Sequence, residues 1–165
     1  MTATTELDAL VACLDAQRRH VLGILEGLGE EALRRPVLPS GWACLGLVRH
    51  LSLDVERFWF RAVVAGGPDV IDDGDDAWRV DPQVPAEAVL RDYRREIEAA
   101  NAVIGTAVSL DAPPAWWPPG RFGDWRLRSL REVILHVIAE TACHAGHLDA
   151  TRELIDGSTW FVQDR

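Results

Sequence analysis

The stretch from Ser129 to Gly157, SLREVILHVIAETACHAGHLDATRELIDG, constrains this chain more than any other. Its apolar residues recur at helical spacing, and its length predicts one long helix. Three of the chain's five histidines lie in it, His136, His144 and His147, with Glu140 between them. With Glu140 as zero, about 100° of turn per residue puts His136 at about −40°, His144 at about +40° and His147 at about −20°. All four share one stripe. Leu130, Val133, Val137, Leu148 and Ile155 fall between roughly +20° and +80° on the same wheel. Glu140 and His144 therefore stand on the face that should point into the protein. A carboxylate and an imidazole one turn apart on such a face need a partner, because burying them alone is costly.

The remaining chain reads as the scaffold that supplies this partner. A length of 165 residues predicts a single domain, 1–165, with a core that needs no disulfide or structural metal. The net charge of −9 argues against nucleic acid or an anionic membrane as partner. Cys13, Cys44 and Cys143 form no CxxC pattern. They are read as buried, inert thiols in a reducing compartment. The N-terminal MTATTELDAL has no basic region ahead of an apolar run, and no stretch reaches the ~18 apolar residues of a membrane span. A cytoplasmic protein is the expectation.

Thr4 or Thr5 can cap a first helix running to about Leu28, with Gly29 as its stop. His20, beside Arg18 and Arg19, is read as a surface residue. Residues 30 to 41 are a connection, since Pro36 and Pro39 forbid a continuous helix. A second helix is predicted over Trp42 to Ala65, ended by Gly66-Gly67-Pro68. Its buried face is Leu47, Val48, Leu51, Val55 and Phe58. His50 lies at an edge of that face with Asp54 one turn on, while Arg49 and Glu56 are expected to point to solvent.

The acidic run DDGDD at 72 to 76 lacks the closing glutamate of an EF-hand and is read as a solvated loop. Pro85 suits the start of a third helix, about Ala86 to Thr106. The proline-rich loop 107 to 127 holds Trp116, Trp117, Phe122 and Trp125. These either cover an end of the bundle or wall a pocket. Ser129 and Glu132 form a capping box for the last helix, and Trp160, Phe161 and Val162 make an apolar tail. With no repeat and no sustained strand alternation, the fold class is all-α, a four-helix bundle with long loops.

His50, Glu140 and His144 make a candidate metal site, two imidazoles and a carboxylate from two helices. This donor set suits zinc, nickel or iron(II), and three protein ligands leave a position open. Spacing alone leaves two readings level, a metal site or core histidines bonded to backbone and to Glu140. His147 is an alternative third ligand or a residue that holds a ligand or substrate. His136 is read as structural.

The segments GWACLGLVRHLSLDVERFWF at 41 to 60, SLD at 109 to 111 and LREVILHVIAETACHAGHLDATRELIDG at 130 to 157 carry a resemblance. The chain resembles the DinB/YfiT-like four-helix metalloproteins, in the actinobacterial branch near the metal-binding domain of mycothiol-dependent maleylpyruvate isomerase. The family's metal histidine falls on His50, and its E-x3-H on Glu140 and His144. The resemblance implies a divalent metal, usually zinc, and a mycothiol-like thiol as nucleophile. It implies a homodimer acting on a small electrophile, a thiol S-transferase or detoxification enzyme. Trp42, Trp59 and the 116 to 125 aromatics are then candidate cavity walls, and His147 and Asp54 candidate proton carriers. The alternative is a non-catalytic metal-binding dimer with a stress or interaction role.

Overall fold

The computed structural model describes residues 5–67 and 76–160. Most of the acidic run, and Phe161 and Val162, lie outside the described residues. The architecture is all-helical, with no strand among the described residues. Helix α1 spans Glu6–Ile24, α2 Glu30–Arg34, α3 Cys44–His50, α4 Ala86–Gly105 and α5 Leu130–Asp156. Helix α3 runs without a break into a π-helical segment, Leu51–Val64. Four long elements therefore pack as a bundle. Helix α1 lies along α5, and the π-helical segment packs against both α4 and α5.

Helix α1 starts where Thr5 and Asp8 cap each other's backbone N–H groups. It ends at Ile24, four residues before the expected stop. Gly27 takes a left-handed φ of 80°, and Arg152 of α5 donates to the carbonyls of Ile24 and Glu26 at 2.6 and 2.8 Å. A side chain distant in sequence thus satisfies the helix end, which no local signal announces. The connection at 30 to 41 contains the short α2, which the sequence reading did not foresee. Its Glu30 accepts the N–H of Ala86 at 2.9 Å and so caps α4 after Pro85.

Helix α5 begins as expected, with Ser129 accepting the N–H of Glu132. Glu132 turns back to the N–H of Arg128, so the reciprocal half of the box falls one residue early. Gly157, at φ 79°, closes the helix. Leu130, Val133, Val137 and Leu148 are buried, together with Ile134, Thr141, Ala145 and Thr151.

The π register corrects one expectation. Glu56 is fully buried rather than turned to solvent. In an α-helix residue 56 would point well away from Leu51. On the wider helix five residues make little more than one turn, so Glu56 comes back under Leu51 toward the core. There Arg18 meets it with two hydrogen bonds of 2.7 and 2.6 Å. Arg18 also reaches Asn101 and Asp15 at 2.7 and 2.9 Å.

Two further expectations change. Cys44 alone among the three cysteines is buried, and burial pushes its thiol up to about 11, while Cys13 and Cys143 are exposed. His20 is half-buried rather than a plain surface residue. Its Nε2 lies 2.7 Å from Asp149, and its ring stacks on Trp160 at 5.1 Å. The Trp160 ring occupies the space a Cβ on Gly23 would fill, 2.1 Å away, so this part of the tail docks on the bundle.

Candidate metal centre

The centre forms where α3 passes into π register, opposite the middle of α5. His50 is the last residue of α3. Its Nδ1 donates to the carboxylate of Asp54 at 2.8 Å, which fixes the ring and leaves Nε2 as the basic nitrogen. Glu140 and His144, one turn apart on α5, bring Oε2 and Nε2 to 3.7 Å. The His144 ring stands edge-on to His50 with centroids 5.1 Å apart. One ligand atom from each of His50, Glu140 and His144 lies within 4.8 Å of the others.

The donor set fits a divalent ion. Bonds of about 2.0–2.1 Å in a tetrahedral site place ligand atoms roughly 3.3 Å apart. The three candidate ligand atoms, within 4.8 Å of one another, approach that spacing. His144 is prepared for the role electrostatically. Burial holds its pKa down to about 4, helped by the neighbouring His50 and opposed by Glu140. Its imidazole is neutral at neutral pH, the form that coordinates a metal.

A cavity of about 560 Å³ opens beside the cluster. Its lining includes His50, Asp54 and Glu140 together with Trp59, Phe122, Trp125 and His136. Of the two tryptophans singled out from sequence, Trp59 lies on this wall. Trp42 lies outside it, 6.1 Å from the ring of exposed His147. His147 Nδ1 is 3.4 Å from His144 Nδ1, so His147 adjoins a candidate ligand. Both alternatives for the 107 to 127 loop are realised. Phe122 and Trp125 wall the cavity, while Trp116 packs on Phe58 at 6.4 Å and Trp117 on Trp59 at 5.9 Å.

Two residues of the site escaped the sequence reading. Trp78 stacks on His50 with centroids 4.4 Å apart and planes 17° from parallel. Gly46 makes this possible, because a Cβ there would lie 2.1 Å from the Trp78 carbonyl oxygen. A loop tryptophan offers no periodic signal. His136, read as structural, faces the cavity and packs edge-on to Trp59 at 4.6 Å. Desolvation lowers its pKa, against a smaller upward pull from Glu140. Its signal was present, since it stands one turn before Glu140 on the same stripe.

Fold and cluster together define a class, a helical bundle with an open His–Glu–His site beside an aromatic cavity. The chain belongs to the mycothiol-S-transferase family, a DinB-like family whose model matches residues 9–157. No curated protein matches the chain. Among the described residues no helix is long and apolar enough to cross a membrane.

Proposed function

We propose that this protein is a divalent-metal-dependent S-transferase that joins a low-molecular-weight thiol of the mycothiol type to a small electrophile. The observation that carries this reading is the convergence of His50, Glu140 and His144 within 4.8 Å at the edge of an open cavity. The family supports the thiol, and the donor set supports zinc, with nickel as the next fit.

A divalent ion held by these three residues would favour thiolate over thiol and so supply a nucleophile at neutral pH. The chain's own residues have separate tasks. Asp54 holds the His50 ring in one tautomer and orientation. Trp78 covers the outer face of that ring and limits water beside it. His147, exposed and next to His144, is placed to pass a proton between the site and solvent. The exposed thiols of Cys13 and Cys143 are no part of the cavity wall, so the nucleophile comes from a separate molecule.

The test is metal analysis of the purified protein, followed by an assay of mycothiol consumption with generic electrophiles. One ion per chain and metal-dependent consumption are expected. One ion per chain with no consumption overturns the transferase reading and leaves a non-catalytic metal-binding bundle. No bound ion under any loading condition overturns the metal centre itself.

A further inference from the structure

Part of the wall of the cavity beside the ligand cluster is built from rings. Trp59 and Phe122 lie 5.7 Å apart and within 17° of parallel. Trp125 stands edge-on to both, at 6.0 and 5.4 Å. His136 closes the row between Trp59 and Trp125, at 4.6 and 5.3 Å. Its ring nitrogens have no hydrogen-bond partner among the described residues, so they remain available to a ligand. This row begins one helical turn from Glu140 and belongs to the same cavity as His50. A volume of about 560 Å³ falls in the range of small-molecule sites.

Another flank of the cluster differs. Trp42 neighbours His147, His147 neighbours His144, and neither Trp42 nor His147 lines the cavity. The ligand cluster therefore has two approaches, one through the cavity with its aromatic wall and one from a flank outside it that carries Trp42 and exposed His147.

We propose that the aromatic approach is the subsite for a planar aromatic electrophile, and that the thiol enters from the Trp42 and His147 flank. This rests on the transferase reading and names its substrate class. A flat, electron-poor ring gains offset-stacked and edge-to-face contacts from the wall, which an aliphatic electrophile does not. The transfer balances without a redox partner. A lone pair of the thiol sulfur attacks the ring carbon that carries a halide. The carbon–sulfur bond forms, the carbon–halogen bond breaks, and the halide leaves with the bonding pair. The thiol proton goes to solvent.

The test uses chlorodinitrobenzene and iodoacetamide as electrophiles with mycothiol, on the metal-loaded protein and on Trp125→Leu and Phe122→Leu. Trp125 is 45% exposed, so its replacement leaves the core intact. The expected result is a KM for chlorodinitrobenzene raised about tenfold by either variant. The KM for mycothiol and the rate with iodoacetamide stay unchanged. A raised KM for mycothiol, with that for the aromatic electrophile unchanged, overturns the assignment by placing the thiol in the cavity. Calorimetry with dinitrobenzene, which has no leaving group, on metal-free protein gives a readout without turnover. Binding that weakens in both variants supports the aromatic subsite even if the transferase reading fails. Absence of binding to the wild-type protein overturns it even if transfer is observed.

Discussion

One continuous helix carries two sets of charged side chains with opposite character. At its middle, His50 and Asp54 line a cavity, and one ring nitrogen of His50 converges with ligand atoms of Glu140 and His144. Six residues after His50, Glu56 sits in the core with both oxygens taken by Arg18. Nearby Glu96 is likewise buried and held by Arg57 and Arg61. The second set is closed, because each carboxylate has its countercharge within the protein. The first is open, because three ligand atoms converge with only part of their capacity used. Closed networks hold the bundle in one packing, whereas open ones leave room for chemistry.

The largest effect expected from this contrast lies in the closed set. Arg18→Ala leaves Glu56 without a partner at a site with no solvent exposure, at a cost of about 3–5 kcal/mol. Urea unfolding should show the loss, and replacing both residues, as Arg18→Met with Glu56→Leu, should recover most of it. A loss below about 1 kcal/mol in the single variant would mean that water reaches Glu56 and the set is not closed.

His144→Ala tests the open set and should reverse the pattern. Metal-free stability should change little, since His144 has no buried ion pair to break. Zinc affinity should fall at least about a hundredfold, because one of the three proposed ligands is gone. Competition with a chelating dye measures the affinity. Unfolding of the variant without metal present would place His144 with the closed set. Asp54→Ala should have a smaller effect, lowering zinc affinity about tenfold by freeing the His50 ring. An unchanged affinity there would show that Trp78 stacking alone orients His50.

The open set was far more legible in the sequence than the closed one. Glu140 and His144 were visible as an i, i+4 pair on an apolar face, and His50 as a histidine at the margin of another. Both arguments need only α-helical periodicity near the residues concerned, and the backbone is α-helical through His50 and along α5. Beyond His50 the register widens, and the 100° wheel misplaces Glu56. Arg18 was hidden for a related reason, since a buried arginine is recognised only through the carboxylate it meets. The end of α1 and the Trp78 stack depend on contacts distant in sequence, which periodicity cannot carry.

The smallest expected effect concerns acid, and it distinguishes the two sets by pH. Burial raises the Glu96 carboxyl, but hydrogen bonds from Arg57 and Arg61 outweigh it and hold the pKa below the ordinary 4.5. A depressed acid contributes stability that is complete above its unfolded value and fades as pH falls through its folded value. Wild-type protein should therefore be more stable than Glu96→Gln above about pH 5, and the gap should narrow as pH drops below 4. Urea midpoints across that range measure it. A gap that widens on acidification would mean that Glu96 is protonated in the folded state. The bundle's closed carboxylates would then not be ion pairs of one kind, and the contrast with the candidate metal centre would rest on Glu56 alone.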